Sequence, residues 1–253
     1  MTAQALRAGF RAVDTANQRK HYYEAAVGEA VAACIGDGVV TRDELFLQSK
    51  FTDAGGQDHR LPYDPRAPLS DCVAQSFASS LEHLRTDRLD SYVLHGPTLR
   101  EGLADEDWQI WAAMSDLCRA GRARLLGVSN VSPAQLDELW RGAEVKPAFV
   151  QNRCYAQTGW DRQTRAFCAE RGIAYQGFSL LTANRRELDG PVVRGIAARR
   201  RCTVAQAVFA FALAIGMLPL TGTSSPAHLA EDLAAFDVAL DDDDVRAIES
   251  VGG

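Results

Sequence analysis

The sequence predicts an α/β fold of the (β/α) barrel type, and three observations carry that prediction. Short apolar runs alternate with helix-like stretches along nearly the whole chain of 253 residues. Polar residues close three of the runs: Asp14 after Phe10-Arg11-Ala12-Val13, Lys50 after Leu45-Phe46-Leu47-Gln48-Ser49, and His95 after Tyr92-Val93-Leu94. No Gly/Ser linker or low-complexity tract divides the alternation, so a single domain over 1–253 is expected. Parallel strands joined by crossover helices give such alternation. Polar residues at the exits of separate strands are how a (β/α) barrel assembles a site.

The elements follow in order. Ala3, Ala5, Leu6 and Ala8 read as the tail of a helix stopped by Gly9. Strand-like apolar runs lie at 10–14, 45–50, 90–95, 124–128, 147–151, 174–178 and 217–221. Helical patterns fall between them near 24–36, 70–84, 106–120, 132–142, 161–172 and 190–216. The last of these reads as two helices broken near Arg201, with Thr203 as N-cap for Val204–Ile215. Two more follow near 226–234 and 241–249, where Asp241–Asp244 suits the positive end of a helix dipole. That makes seven strands, whereas a closed barrel of this type has eight. Only Met1–Gly9 precede Phe10, so the strand not found is the first. The least regular segment, 52–69, carries Gly55-Gly56, Pro62, Pro65 and Pro68 and directly follows Lys50. It reads equally as a cover over a substrate or as a surface loop.

Composition narrows the function. A net charge of −6 and a pI near 5.4 argue against a general binder of nucleic acid or anionic membrane. The basic run of Arg194 and Arg199-Arg200-Arg201 reads as a solvated helix end. Six scattered cysteines form no Cys-x-x-Cys pair, and His59, His83 and His228 lack ligand spacing, so no metal is expected. With no leader pattern and no apolar run of membrane-spanning length, a cytoplasmic protein is expected. Neither a Gly-x-Gly-x-x-Gly fingerprint nor a phosphate-binding Gly-x-x-x-x-Gly-Lys loop is present. Trp108 and Trp111, three apart on one helix, read as packing.

The strand-end residues suit one reaction. Tyrosine is a poor acid at neutral pH, with a reference pKa of about 10. Lys50 beside Tyr22 or Tyr23 would favour the phenolate and ease proton donation. A buried lysine needs a partner, which Asp14 supplies. His95 would orient a carbonyl or relay a proton. Hydride must come from a cofactor, because no side chain delivers one.

Several ordered motifs then carry a resemblance. They are Gly9-Phe10-Arg11-Ala12-Val13-Asp14-Thr15-Ala16, Glu24-Ala25-Ala26-Val27-Gly28-Glu29-Ala30, Leu45–Lys50 and Leu89-Asp90-Ser91-Tyr92-Val93-Leu94-His95. Gly127-Val128-Ser129-Asn130 and Val150-Gln151-Asn152 complete the set. Together they make the chain, over essentially Met1 to Gly253, resemble the aldo-keto reductases, (β/α)8 TIM barrels that reduce aldehydes and ketones with NADPH or NADH. The resemblance implies a small-molecule carbonyl substrate and a catalytic set of Asp14, Tyr22, Lys50 and His95. It also implies that Ser129, Asn130 and Gln151 hold the nicotinamide carboxamide, that Phe178 stacks on its ring, and that Ser179, Leu180 and Leu181 pass the pyrophosphate.

Three departures from the family pattern stand out. Relatives commonly place the tyrosine five residues after the aspartate, where this chain has Arg19. Glu24-x-x-Val27-Gly28 restores the pattern, so 17–21 reads as a short insertion and Tyr22 is preferred over Tyr23. Gly222 and His228 fall where relatives carry a Lys and an Arg for the 2′-phosphate, and Asp232 where an adenine-contacting Asn is common. Thr223, Ser224 and the following helix N-terminus still suit phosphate, so both NADPH and NADH stay open. The family's N-terminal hairpin, first strand and long C-terminal loop have no counterpart here, which predicts a more open pocket. A start inside a longer natural chain is favoured over a truncated relative. The alternative function is a non-catalytic nicotinamide-binding sensor or regulator of the same fold.

Overall fold

The structure is a computed structural model that describes Met1–Gly252. Its described residues fold as two compact units, Met1–Phe149 and the residues from Val150 onward.

In the first unit α1 (Thr2–Ala8) precedes β1 (Ala12–Asp14), α2 (Glu24–Gly36), β2 (Phe46–Phe51) and α3 (Leu69–Leu84). β3 (Leu89–Leu94), α4 (Asp105–Arg119), β4 (Ala123–Ser129) and α5 (Pro133–Gly142) follow. β1 to β4 pair in parallel in chain order, with Asp14 opposite Gln48, Lys50 opposite Val93, and Leu94 opposite Val128. β3 is buried along its whole length: Tyr92, Val93 and Leu94 form an apolar run, and the buried Asp90 before them pairs with Arg42 at 2.9 Å. Tyr92 of β3 meets Phe77 of α3 edge to face with ring centroids 5.0 Å apart, and Leu81 of α3 and Ile110, Trp111 and Met114 of α4 are buried as well. Each such side chain stabilises the fold by roughly 1.5–3 kcal/mol. β1 begins two residues later than the sequence predicts, because the Phe10 amide closes α1 by donating to Ala5 O at 3.0 Å. Trp111 is core and donates to Val145 O at 3.0 Å, and Trp108 lies against Gly142, so both tryptophans pack.

The entry to α2 is fixed from below. Glu24, buried at its first position, accepts from Ser49 Oγ of β2 and faces His83 Nδ1 of α3 at 3.1 Å. Four residues on, a side chain at Gly28 would meet His83 O at 2.0 Å, so α2 and α3 touch backbone to backbone there. The Tyr22-Tyr23 pair is therefore delivered to one place.

In the second unit β5 (Phe149–Arg153), which enters it at Val150, is followed by α6 (Arg162–Arg171) and β6 (Ala174–Phe178). α7 (Arg185–Leu188), α8 (Pro191–Arg200), α9 (Val204–Ala214) and β7 (Met217–Pro219) come next, then α10 (Pro226–Leu233) and α11 (Asp242–Glu249). β6 and β7 pair in parallel, Tyr175 opposite Met217 and Gly177 opposite Pro219. Gly177 leaves room for Met217, whose Sδ would lie 2.3 Å from a Cβ there. Arg201 breaks α8 from α9 with a left-handed φ of 57°, and Thr203 Oγ1 caps α9 by accepting from Gln206 N at 3.1 Å. Asp241 caps α11 in the same way at 2.9 Å. The basic run ends α8 as expected, though not in solvent alone: Arg199 and Arg200 pair with the buried Asp244. α7 is an element the sequence reading omits, being four residues long and so too short to show a helical period. Among the described residues no helix is long and apolar enough to cross a membrane.

Candidate active site

The exits of β1, β2 and β3 bring four of the expected residues together. Lys50, fully buried, donates from Nζ to both Asp14 oxygens at 2.7 Å and to Thr15 O at 2.9 Å. Gln48 Nε2 donates to Asp14 Oδ1 at 2.7 Å. Burying an ammonium is costly unless its donors are matched, and here three acceptors match them. Lys50 Nζ lies 5.3 Å from the centre of the Tyr22 ring. The Tyr22 ring meets the His95 ring edge to face, with centroids 6.0 Å apart. Tyr23 turns away: it is 58% exposed and covered by the Arg19 guanidinium, 4.6 Å from its ring centre.

The electrostatics differ from expectation in one respect. Burial, reinforced by the Asp14 charge, pushes the Tyr22 hydroxyl up to about 12. The sequence reading expects Lys50 to lower it. In the resting site burial is the larger cause and the Asp14 charge the smaller, so the help expected from Lys50 falls on the phenolate left after proton transfer. Burial, with the nearby Lys50 charge, holds His95 down at about 4, so its imidazole is neutral at physiological pH.

The 17–21 segment is braced rather than loose. Gln18 Nε2 donates to Gly56 O at 2.8 Å, and Gln57 Nε2 returns a bond to Asn17 O at 2.8 Å. Gln18 O accepts the Tyr22 amide at 3.0 Å, so this pair of bonds leads to the tyrosine. The 52–69 segment folds back on its own strand: Tyr63 stacks on Phe51 and donates to Thr52 O at 2.8 Å. Thr52 Oγ1 lies 2.6 Å from His95 Nδ1. Sequence reasoning missed Gln48 and Thr52. Period-two spacing around Lys50 was the signal, since residues two apart share a strand face.

At the exit of β4, Asn130 takes a left-handed φ of 53° and donates from Nδ2 to His95 O at 2.8 Å and Ser129 Oγ at 3.1 Å. The expected carboxamide residues Ser129 and Asn130 are therefore adjacent and tied to the His95 backbone.

In the second unit Gln151, buried on β5, donates to Gln176 Oε1 of β6 at 2.8 Å. Phe178 ends β6 half-buried, and its carbonyl accepts the Cys154 amide at 3.1 Å. Ser179 follows with a left-handed φ of 59°, turning Leu180 inward and leaving Leu181 half-buried. Buried Asn184, which sequence reasoning missed, holds this turn by donating to Leu180 O at 2.8 Å and Cys154 O at 3.0 Å. A lone asparagine before a four-residue helix leaves no pattern to find. After β7, Gly222 and Ser224 are exposed, and Ser225 caps α10 by accepting the His228 amide at 3.4 Å. Thr223 Oγ1 stands 3.5 Å from His228 Nδ1. Thr221 Oγ1 donates to Asp232 Oδ2 at 2.7 Å, and partial burial raises the Asp232 carboxyl above its usual range.

Comparison with known proteins agrees with this architecture. The sequence profile of the Aldo/keto reductase family matches residues 1–252. The chain is similar to the uncharacterized oxidoreductase YtbE of Bacillus subtilis (strain 168), 30% identical over 247 residues, covering 98% of this chain and 81% of that protein. It is similar in structure to an aldo/keto reductase from Brucella melitensis, with a TM-score of 0.83, 27% identity, and coverage of 99% of this chain and 88% of that one. A Bombyx mori aldo-keto reductase in complex with NADP gives a TM-score of 0.81 at 25% identity, covering 99% of this chain and 81% of that one. The seven parallel strands thus belong to a (β/α)8-type fold. From its strand exits to its family profile, the chain belongs to the aldo/keto reductase family.

Proposed function

We propose that the chain reduces an aldehyde or ketone to an alcohol with a nicotinamide cofactor, and that Tyr22 is the general acid. One observation carries the assignment: Tyr22, not Tyr23, stands against the buried Lys50–Asp14 pair and His95. With its hydroxyl at about 12, Tyr22 keeps its proton at neutral pH, as an acid waiting for substrate must. The alkoxide that forms on reduction is a far stronger base than a phenolate, so transfer from Tyr22 runs downhill. Lys50 would then offset the charge left on the phenolate, fixed in place beforehand by Asp14 and Thr15. Neutral His95 would donate to the carbonyl oxygen and orient it.

The bound cofactor supplies the hydride. The donor set at the exit of β4 fits a carboxamide, which both gives and accepts hydrogen bonds: Ser129 offers a hydroxyl and Asn130 an amide. We assign Phe178 to the nicotinamide face and Ser179, Leu180 and Leu181 to the pyrophosphate. Gly222, Thr223, Ser224, His228 and Asp232 are assigned to the adenosine end. The carboxylate of Asp232 and the missing cation at Gly222 support acceptance of NADH as well as NADPH. The free state of all six cysteines supports a reducing compartment, the cytoplasm. Engagement of Arg199 and Arg200 by Asp244 supports a role without nucleic acid.

The test is Tyr22→Phe, measured by cofactor oxidation with an aldehyde panel and, separately, by cofactor binding. Turnover should collapse with binding retained. A variant that turns over as fast as the parent overturns the assignment. A parent chain that binds cofactor yet reduces no carbonyl would instead be the regulatory member of the fold.

A further inference from the structure

His95 has two ring nitrogens and, being neutral, one proton to place between them. Thr52, just beyond the end of β2 and almost fully buried, sets its hydroxyl 2.6 Å from Nδ1. Two arrangements satisfy that distance. Either the hydroxyl donates to a bare Nδ1, leaving the proton on Nε2, or a protonated Nδ1 donates to the hydroxyl.

Hydrogen-bond accounting decides between them. Among the described residues, His95 Nδ1 is the partner of Thr52 Oγ1. Were the imidazole the donor, the hydroxyl hydrogen would be buried with no acceptor, an expensive state. The Thr52 backbone is pinned independently, its carbonyl accepting from Tyr63 Oη at 2.8 Å and from Gln57 Nε2 at 3.4 Å. His95 is pinned too: its amide donates to Phe51 O at 2.9 Å, and its carbonyl accepts from Asn130 Nδ2 at 2.8 Å. Neither side chain is free to drift out of this contact. The charged and titratable groups facing the ring are Lys50, Asp14, His21 and Tyr22.

We propose that Thr52 is a positioning residue that holds His95 as its Nε2–H tautomer, so that the ring nitrogen away from Thr52 carries the N–H that hydrogen-bonds and orients the carbonyl oxygen. The inference rests on the orienting role assigned to His95 above.

Nitrogen-labelled histidine in the full chain, read by long-range proton–nitrogen correlation and assigned with His95→Gln, reports the tautomer directly. In the parent, His95 Nδ1 should be unprotonated and Nε2 protonated. Thr52→Val removes the hydroxyl at constant shape; it should give a tautomer mixture and lower kcat by about tenfold. Thr52→Ser should restore both. A protonated Nδ1 in the parent overturns the inference, as does a Thr52→Val protein with unchanged tautomer and kcat. If Thr52→Val fails to fold, the parent and Thr52→Ser spectra still decide. The two readings fail separately: active Tyr22→Phe enzyme removes the reductase mechanism whatever the tautomer, whereas an Nδ1–H spectrum with inactive Tyr22→Phe removes only the role of Thr52.

Discussion

The exits of β1 to β3 and the segment after β7 are held in different ways. At the first, Lys50 meets both Asp14 oxygens at 2.7 Å, Gln48 adds a third short bond to that carboxylate, and Thr52 reaches His95 at 2.6 Å. At the second, Gly222, Ser224 and His228 are exposed, and the contacts around His228 are 3.4 and 3.5 Å long. Proton transfer needs its groups fixed to fractions of an ångström, so the first region is stabilised by matched buried charge. Recognition of a distant phosphate needs only charge of the right sign, so the second can change its residues without disturbing the chemistry.

The largest effect belongs to the first region. Tyr22→Phe should lower kcat by about 100- to 10,000-fold, while Tyr23→Phe, altering an exposed ring, should change it by less than about twofold. Steady-state kinetics on both variants checks this, and a reversal of the two would break the claim that burial selects the acid.

Next comes Lys50→Met. It leaves Asp14 without its cation in a largely buried setting, so stability should fall by about 3 kcal/mol as well as turnover. Denaturant titration separates this from Tyr22→Phe, which removes no charge from the cluster. Equal stabilities in Lys50→Met and parent would mean that Asp14 is solvated rather than paired.

What the sequence made legible follows the same division. Asp14, Lys50 and His95 could be read because each is a polar residue ending an apolar strand, a placement that is costly without a partner. Tyr22 is preferred over Tyr23 only from the pattern restored at Glu24, since one residue at the turn into α2 decides which ring is buried. Gln18, Gln57 and Asn184 act by bonds to backbone carbonyls, which impose no period and no residue class on their neighbours. The raised Tyr22 hydroxyl is not legible in a motif either, because it comes first from burial in the folded site and then from the Asp14 charge. The strand and helix order was readable throughout, apart from α7, because burial on both faces writes long apolar runs.

The second region offers a smaller and more specific change. A side chain at Gly222 meets nothing within 4 Å, so Gly222→Lys fits without strain. Combined with His228→Arg, it should raise the NADPH-to-NADH ratio of kcat/KM by about tenfold, the scale of one exposed-to-partly-buried charge pair. The gain should shrink at high salt. A change in kcat with the aldehyde itself would show instead that the two regions are coupled.

The smallest expected effect is an absence of titration. In the reductive direction the cluster works with Tyr22 protonated and His95 neutral. Tyr22 stays protonated until pH approaches about 12, and His95 stays neutral until pH falls towards about 4. Between about pH 5 and 8 neither group changes state, so kcat for reduction should vary by less than about twofold, falling below that window as His95 takes a proton. Alcohol oxidation needs the opposite form of Tyr22, the phenolate, and should therefore climb with pH across the same window. A step in reductive kcat near pH 6.5, the ordinary range of an exposed histidine, would place His95 in contact with water and remove the reason its proton has to be set by Thr52.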